Sequence, residues 1–546
     1  MDKIYVCGHK NPDTDSAVSA VCYAAFKTLL NPDKTFIPIV CGNVKAQTKF
    51  IFDKADADLP LFLRDIHPRV TDAARHDGMR LYMNEPVFEA VKDLDENTLS
   101  VIPVFHENDN FAGIVGIHEI VKYMMSSEKS EKKKYIFNLD NIASVIPGRF
   151  FSKSDDREFT ATLMVGAMDE EYLCSRIFNL SEKPVLIVGK RTDIIKKAAE
   201  FSLPAIILTN ISHNSNYNEI NELKNFKGSI YFSEKDTAET IRLLWLSAPI
   251  KHIVNSSPFV FQHDRLFDEA KKILLSSDIR GVAVLNNGIF GGVVTRRSFI
   301  EKPKYKLIMV DHNETSQSVN GSDEADIIEI IDHHRFAADK TSAPIYIYSK
   351  PVGSTATLVC QHFKMSGFEL SRKHAVLLLG GILSDTLFLK SPTTTIDDIS
   401  AADFCSKISG IDIQEFSNEI KTQMPVLKDT DPSFIAGSDF KKYSQHNISF
   451  GISQFETSNI EELKESFLAI MESLIKLKNE NNLDFAMILI TDVISENSKL
   501  ISTDYNRIEE RIIYEKESSN TYNLPGVLSR KKQLLPEVLR CIEESL

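Results

Sequence analysis

The stretch Val6-Cys7-Gly8-His9-Lys10-Asn11-Pro12-Asp13-Thr14-Asp15-Ser16 decides the fold at the start of this 546-residue chain. The apolar residues 4–6 predict a short buried strand. Asn11-Pro12 predicts a turn, because a proline keeps the residue before it out of helical angles. From residue 16 onward the apolar residues have helical spacing. The loop between this strand and this helix, where open α/β sheets place ligands, carries three ligand-type side chains: His9, Asp13 and Asp15.

Two interpretations of this loop are open. In the first, Asp15 caps the helix and His9 is an incidental loop residue. In the second, the three side chains bind a metal ion. We favour metal binding, because three ligand-type residues are concentrated around one turn.

Length and composition limit the class of protein. A chain of 546 residues predicts roughly three to five domains, and 43% hydrophobic with 25% charged residues is typical of globular proteins. The net charge of -13 argues against a general nucleic-acid binder, because such proteins carry a basic face. The seven cysteines form no CxxC pair, and the sequence shows neither a signal-peptide pattern nor an apolar run long enough to span a bilayer. We expect a cytoplasmic protein that binds neither nucleic acid nor membranes.

The pattern of the opening stretch recurs after residue 305. Residues 35–40 and 47–52 predict a strand and a helix, so the chain begins as a βαβ unit with a parallel sheet. Since parallel strands end at one edge of a sheet, ligands that follow them converge. Three further predicted strands lead into such ligands: residues 307–310 into Asp311-His312-Asn313-Glu314, residues 327–331 into Asp332-His333-His334-Arg335, and residues 375–383 into Ser384-Asp385-Thr386.

The donor set predicts the kind of metal and the kind of chemistry. Histidine and carboxylates without thiolates suit Mn²⁺, Co²⁺ or Mg²⁺ rather than structural zinc, and four aspartates with two histidines suit two ions that share a carboxylate. Two cations about 3.5–4 Å apart lower the pKa of a bridging water toward about 7, which favours hydrolysis of a phosphate ester or anhydride. The departing phosphate then needs cations, for which Ser529-Arg530-Lys531-Lys532-Gln533 and Lys441 are the candidates.

The interior of the chain contains a repeat. Residues 102–105 and 111–116 align with residues 282–285 and 290–295, and both copies follow a helical segment. The repeat resembles the two CBS modules of a Bateman pair, which implies adenine-nucleotide binding between the modules. A purely structural pair is the alternative. By position, the resemblance assigns the nucleotide to a first strand around Lys251-His252-Ile253 and to Arg280, Gly281 and Thr295.

The segment between the repeats predicts an α/β domain of its own. Apolar runs at residues 162–165, 184–188 and 205–208 alternate with helical segments, and the charged run at residues 128–134 predicts a solvated linker. By its position the segment resembles a DRTGG domain, with Gly189-Lys190-Arg191-Thr192-Asp193 closest to the motif of that name.

Taken together, the motifs around the metal ligands and Ser529-Arg530-Lys531-Lys532-Gln533 resemble the DHH phosphoesterase superfamily, specifically the CBS-containing family II inorganic pyrophosphatases. The resemblance implies hydrolysis of pyrophosphate to two phosphates by a metal-bridging hydroxide, with two tight Mn²⁺ or Co²⁺ sites and a Mg²⁺ that arrives with the substrate. It also implies a homodimer, closure of the C-terminal domain over the site, and regulation by AMP, ADP, ATP or a diadenosine polyphosphate.

The same resemblance assigns roles to individual residues. One metal is assigned to His9, Asp13 and Asp311, and the other to Asp15, Asp311, His333 and Asp385. The catalytic set comprises Asp13, Asp15 and Asp311 together with the pyrophosphate-binding residues His334, Lys441, Arg530 and Lys531.

We therefore expect an α/β protein with a parallel-sheet DHH catalytic domain (residues 1–66 and 303–415) and a smaller α/β substrate-binding domain (residues 416–546). The predicted insert comprises CBS module 1 (residues 67–126), the DRTGG-like domain (127–245) and CBS module 2 (246–302). Two other functions stay open: a DHH-type phosphodiesterase or exopolyphosphatase, and a catalytically dead nucleotide sensor.

Overall fold

The computed structural model describes residues 3–76, 80–96, 100–125, 134–212, 221–337, 341, 343–509 and 511–545. It divides into two compact units, which we call the terminal unit (residues 1–67 and 304–546) and the inserted unit (residues 68–303). The predicted charged run at residues 128–134 lies outside the described residues except for Lys134. The finer domain limits given above stay predictions.

The terminal unit begins as the opening stretch predicts. Asp13 caps the first helix by accepting the Ser16 backbone N–H at 2.9 Å, so the interpretation in which Asp15 is the cap is wrong. The predicted strand at residues 35–40 and the helix over residues 47–52 are confirmed. The elements are β1 (Lys3–Cys7), α1 (Thr14–Leu30), β2 (Thr35–Val40), α2 (Ala46–Lys54) and β3 (Leu61–Phe62).

The inserted unit contains the predicted repeat as two three-stranded sheets separated by an α/β domain. In each small sheet the first strand is parallel and the third antiparallel to the middle strand. The first module comprises β4 (Leu81–Tyr82), α3 (Val87–Glu96), β5 (Val101–Phe105), β6 (Phe111–Gly116) and α4 (Ile117–Met125).

The middle domain has a six-stranded sheet in the order β7-β9-β10-β11-β12-β8, in which β9 to β12 are parallel. The three apolar runs predicted as strands lie in β9, β10 and β11, and these predictions are confirmed. The elements are β7 (Lys134–Asn138), α5 (Leu139–Val145), β8 (Gly148–Ser152), β9 (Glu158–Val165), α6 (Glu170–Phe178), β10 (Val185–Val188), α7 (Thr192–Ala199), β11 (Ala205–Leu208), α8 (Asn221–Lys224), β12 (Ser229–Ser233) and α9 (Thr237–Leu246).

The second module consists of β13 (Val260–Gln262), α10 (Phe267–Leu275), β14 (Gly281–Asn286) and β15 (Ile289–Thr295). The sheets of the two modules pack against each other, with the rings of Phe111 and Phe290 stacked at 5.5 Å. The modules also exchange their leading segments. Arg75 bridges to Val293 of the second module, and Asn255 bridges to Ile114 of the first.

After the insert, the chain completes the parallel sheet that the opening stretch began. The six strands are ordered β18-β17-β16-β1-β2-β3, with Tyr5 of β1 in register between Leu307 and Ile37. Helices pack on one face of the sheet around buried residues such as Val18 and Leu378. The elements added here are β16 (Lys306–Val310), β17 (Asp326–Asp332), β18 (Tyr346–Ser349), α11 (Thr355–Ser366), α12 (Arg372–Asp385) and α13 (Ile396–Ser409).

The prediction of a strand at residues 375–383 is wrong, because these residues form the middle of α12. Every one of them is buried, so the run is apolar on all sides and shows no helical period. The start signal of the helix is Ser371, whose side chain accepts the backbone N–H of His374. Asp385 therefore ends a helix rather than a strand.

The C-terminal part of the terminal unit is a second α/β layer built on a sheet in the order β19-β20-β21-β22-β24-β23. Within the described residues, no helix is both long and apolar enough to cross a bilayer. The elements are α14 (Ile413–Lys421), α15 (Pro432–Gly437), β19 (Lys441–Gln445), β20 (Ile448–Thr457), α16 (Leu463–Glu480), β21 (Phe485–Asp492), β22 (Asn497–Ser502), α17 (Asn506–Glu509), β23 (Glu515–Ser518), β24 (Thr521–Pro525) and α18 (Leu535–Glu544).

Candidate metal centre

Ligand-type side chains converge at the carboxyl edge of the six-stranded sheet. They come from the ends of β1, β16 and β17, from the first turn of α1 and from the end of α12. The donor atoms form three groups, each within 4.8 Å: His9 with Asp13 and Asp311, Asp15 with His333 and Asp385, and Asp311 with His333 and His334. The structure thus brings together all six residues predicted to bind metal.

The carboxylate of Asp311 lies between the first two groups. Its Oδ2 atom is 3.4 Å from His9 Nε2, and its Oδ1 atom is 3.5 Å from His333 Nε2. His9 Nε2 also lies 3.2 Å from Asp13 Oδ2, and His333 Nε2 lies 3.4 Å from Asp385 Oδ2. One oxygen of Asp311 faces each group, which is the arrangement of a carboxylate that bridges two cations.

The ring tautomer of His333 and the burial of its Nε2 atom are those expected of a metal ligand. Its Nδ1 lies 2.9 Å from the carbonyl of Val352, a contact that places the ring proton on Nδ1. The buried Nε2 atom then keeps a free lone pair and has no hydrogen-bond partner among the described residues. A buried nitrogen without a partner, facing two carboxylates, is what a cation would satisfy.

The pKa values of the clustered carboxyl groups also indicate a site for cations. Burial, and then the neighbouring carboxylates, raise the pKa of Asp15 and of Asp385 well above the usual range. Burial also acts to raise the pKa of Asp13, but the charge and hydrogen bond of His9, the charge of Lys45 and the Ser16 N–H together outweigh it and leave that pKa low. The site accumulates more negative charge than its own side chains neutralise. Bound divalent cations would neutralise it.

Two backbone features shape the loops that carry the ligands. Asp311 has a φ of 63°, a left-handed conformation that costs a non-glycine residue about 1–3 kcal/mol and is typical of functional sites. Gly8 allows its loop to approach α1 closely, because a Cβ there would lie 1.9 Å from Ser16 Oγ. That same oxygen accepts the His9 backbone N–H at 3.0 Å, so the close approach helps to position His9.

The residues predicted to bind the substrate differ in their contacts with the rest of the protein. His334 contacts Asp332 through both its ring Nδ1, at 2.9 Å, and its backbone N–H, at 3.1 Å. Burial acts to lower the pKa of His334, but the hydrogen bond and charge of Asp332 together with the charge of Asp311 outweigh it and raise that pKa. The positive charge of Lys531, from the C-terminal layer, acts in the opposite direction.

Arg530 and Lys441 are not engaged in the same way. Arg530 is buried and forms an ion pair with Asp439 at 2.9 Å, and its guanidinium also donates to the carbonyl of Ile452. Lys441 is exposed at the start of β19. Asp439 is thus paired with the guanidinium of Arg530, the group that the resemblance assigns to pyrophosphate binding.

Sequence reasoning missed three groups that contact or face the site. Asp332, to which the sequence motif assigns no role of its own, accepts from the ring and the backbone N–H of His334. Its position at the end of the predicted strand, now β17, was the sequence feature that could have indicated this role. The hydroxyl of Thr355 donates to Asp311, and no local pattern indicates it. Burial raises the pKa of Glu456 on β20 to about 7 against an opposing effect of Lys45, and the charges of Asp439 and Asp13 add to the rise.

The six predicted nucleotide residues fall on both modules of the inserted unit. The prediction of a strand around Lys251 is wrong, because residues 250–252 form a 3-10 turn whose Lys251 and His252 pair with Glu158 of the middle domain at 2.8 and 3.4 Å. Packing decided this: the segment docks on the first module, where Ile253 joins the core. The others lie on the second module: Arg280 is exposed, Gly281 faces Val101 of the first module, and Thr295 caps a 3-10 turn.

Comparisons with known proteins agree with this site. The model of the DHH family, N-terminal domain, matches residues 3–382, and that of the DHHA2 domain matches residues 418–541. The cobalt-dependent inorganic pyrophosphatase of Clostridium perfringens is 31% identical over 99% of this chain and 98% of its own length. The probable manganese-dependent inorganic pyrophosphatase of Thermotoga maritima is 29% identical over 98% of both chains.

Part of this chain is also similar to a solved structure. It contains the CBS and DRTGG domains of the regulatory region of the Clostridium perfringens pyrophosphatase, complexed with the activator diadenosine tetraphosphate. It is 20% identical, covers 40% of this chain and 94% of that one, and has a TM-score of 0.34. From the family model and the full-length relative, the chain belongs to the DHH family and, within it, to the metal-dependent inorganic pyrophosphatases.

The raised pKa of Asp385 predicts how Asp385→Asn changes stability. Because the folded state binds the Asp385 proton more tightly than the unfolded state does, this carboxyl increasingly favours unfolding as the pH rises above the pKa of an unfolded aspartate, about 4. The free energy of unfolding of the metal-free protein should therefore change little on substitution at pH 4. At pH 8 the substitution should stabilise the metal-free protein by about 1 kcal/mol or more, since one pKa unit corresponds to about 1.4 kcal/mol. Denaturant unfolding in EDTA at both pH values measures this.

Asp397→Asn is the matched control, since this exposed aspartate lies outside the cluster. With Mn²⁺ present the sign should reverse at pH 8, because the variant loses a ligand. An equal effect of Asp385→Asn at both pH values would contradict the interpretation.

Proposed function

We propose that this protein hydrolyses inorganic pyrophosphate to two phosphates at a centre of two divalent cations, Mn²⁺ or Co²⁺. The observation that carries the proposal is the carboxylate of Asp311, with one oxygen facing His9 and the other facing His333. His9, Asp13 and Asp311 would hold one cation, and Asp15, Asp311, His333 and Asp385 would hold the other. When bound, the cations supply Lewis acidity that activates water and neutralises phosphate charge.

The remaining groups act on the substrate. Asp332 orients the ring of His334 and favours its protonated form, so His334 can donate a hydrogen bond to a phosphate oxygen. Lys531 contributes positive charge near His334, where the leaving phosphate accumulates negative charge. A further Mg²⁺ would arrive with the pyrophosphate.

Arg530 joins the substrate only by giving up a partner. Its guanidinium is paired with Asp439, a side chain that is 55% exposed. Two oxygens of one tetrahedral phosphate group can accept the same bidentate pair of hydrogen bonds as a carboxylate, and pyrophosphate carries more charge. We propose that the substrate displaces Asp439 from Arg530 and that Lys441 adds charge from β19 as the C-terminal layer closes over the site.

The direct test is phosphate release from pyrophosphate by the full chain loaded with Mn²⁺ or Co²⁺. Asp15→Asn should lower the rate by about 100-fold or more, because it weakens a ligand at the centre. Asp53→Asn, an exposed carboxylate on α2, is the control and should keep the wild-type rate. Faster phosphate release from short polyphosphate would favour an exopolyphosphatase, and release of mononucleotides from dinucleotides would favour a phosphodiesterase. No release from any substrate would favour a dead sensor.

We propose that adenine nucleotides (AMP, ADP, ATP or a diadenosine polyphosphate) regulate the enzyme through the inserted unit. The support is the paired modules, whose sheets pack face to face and exchange their leading segments. The candidate contacts are Lys251, His252, Ile253, Arg280, Gly281 and Thr295. A nucleotide changes the rate only if it binds the more active and the less active states with different affinity.

Arg280→Ala tests this regulation. The exposed guanidinium is a natural partner for a nucleotide phosphate, so the variant should keep its basal rate and respond to nucleotide only at about 10-fold higher concentration or more. Lys272→Ala, which removes another exposed cation of the second module, is the control. Hydrolysis is measured with added AMP, ADP, ATP or diadenosine tetraphosphate. An unchanged response of Arg280→Ala would remove this residue from the site.

We also propose that the protein forms a homodimer. The support is the outer strand β18, whose side chains Tyr346 and Ile347 are 48% and 43% exposed, since an open apolar strand is a template for pairing. Light scattering on the wild type should give twice the chain mass, and Ile347→Lys should shift it toward the monomer. A monomeric wild type at micromolar concentration would contradict the proposal.

A further inference from the structure

One loop contacts three of the metal-binding side chains without carrying a ligand itself. This is the segment we call the 352–357 loop, which consists of the end of the connection from β18 and the first turn of α11. The carbonyl of Val352 accepts from His333 Nδ1 at 2.9 Å. The hydroxyl of Thr355 donates to Asp311 Oδ1 at 3.0 Å. The loop therefore holds two ligands through separate hydrogen bonds.

The same loop binds the carboxylate of Asp15 with backbone donors. The N–H groups of Thr355 and Ala356 donate to the two oxygens of Asp15 at 2.6 and 2.8 Å. They belong to the first turn of α11, where the helix dipole favours a negative charge. Both oxygens are thus directed by the position of this helix start, so a shift of the loop would move Asp15, Asp311 and His333 together.

A buried carboxylate on α13 holds the loop in place. The side chain of Asp398 is fully buried, and it accepts from the Gly353 N–H at 2.8 Å and from the Thr357 hydroxyl at 2.6 Å. Its Oδ2 atom also accepts from the backbone N–H and the hydroxyl of Thr395 at 2.7 and 2.6 Å, which fixes it to the cap of its own helix. Among the described residues, these are the only partners of its carboxylate.

The other metal group is held by different contacts. His9 is positioned by its backbone N–H to Ser16 Oγ, and Asp13 by its bond from the Ser16 N–H. In the part of the chain that the structure describes, neither side chain hydrogen-bonds to the 352–357 loop. The loop therefore distinguishes the two groups, which meet only at Asp311.

We propose that Asp398 is a positioning residue: by anchoring the 352–357 loop it sets the metal affinity of the site formed by Asp15, Asp311, His333 and Asp385. This inference rests on the proposed two-metal function. Partners of this kind typically change metal affinity by 10- to 100-fold, because they determine the direction of the ligand atoms.

Mn²⁺ titration calorimetry on the metal-stripped full chain tests the proposal. Asp398→Asn places an amide N–H₂ against hydrogen-bond donors, and it should weaken one of the two Mn²⁺ sites by about 10- to 100-fold. The other site shares only Asp311 with this loop and should weaken by a clearly smaller factor. Asp397→Asn, one residue away in the same helical turn and exposed, is the matched control and should bind as the wild type does. The His9→Ala background identifies the weakened site, because that substitution removes a ligand of the other group only.

A second pair of variants tests the positioning role independently of Asp398→Asn. Thr357→Val lacks the hydroxyl that donates to Asp398, whereas Thr357→Ser keeps it. Thr357→Val should weaken the same Mn²⁺ site and Thr357→Ser should restore it. Circular dichroism in EDTA checks that each variant is folded, and if Asp398→Asn is not, the Thr357 pair decides.

The outcomes separate this inference from the proposed function. Equal weakening of both sites, unchanged affinity in folded Asp398→Asn, or identical behaviour of Thr357→Val and Thr357→Ser would overturn the positioning role. A wild type that binds fewer than two Mn²⁺ and releases no phosphate would overturn the proposed function itself.

Discussion

The repulsion between buried carboxylates at the carboxyl edge of the parallel sheet is the constraint on which the rest of the terminal unit depends. Asp15, Asp311 and Asp385 are brought together from segments that are far apart in sequence, and burial raises the pKa of two of them. Such a cluster is stable only when cations balance it or when surrounding groups direct hydrogen bonds at its oxygens. In this chain the start of α11 directs hydrogen bonds at the oxygens of Asp15, and the remaining donor atoms are suited to bind cations.

The surrounding hydrogen bonds form a connected series rather than separate contacts. Asp398 holds the 352–357 loop, and this loop holds Asp15, Asp311 and His333. Asp332 holds His334 in a similar way. Because Asp15, Asp311 and His333 each have a hydrogen-bond partner in this series, their donor atoms are positioned before a cation arrives, which is the physical basis of a selective metal site.

Much of the parallel sheet and of the metal centre was predictable, because their signals are local. A short apolar run followed by Asp or His marks a strand end, as at Asp311 and His333, and parallel strands bring such ends to one edge. The prediction failed at residues 375–383, where a fully buried helix has no polar face to reveal its period. It failed at Lys251 because a short segment follows the surface on which it docks.

The sequence by itself determined which side chains are the candidate metal ligands and which chemistry they favour, because the residue types and their positions after predicted strands carry that information. Only the tertiary structure decided how the opening loop is used: Asp13 caps α1, and Asp15 points to the start of α11, 340 residues later. Hydrogen bonds over such distances depend on how helices pack on the sheet, and no local pattern encodes them. The same holds for Arg530, whose partner Asp439 becomes a neighbour only when the C-terminal sheet has formed.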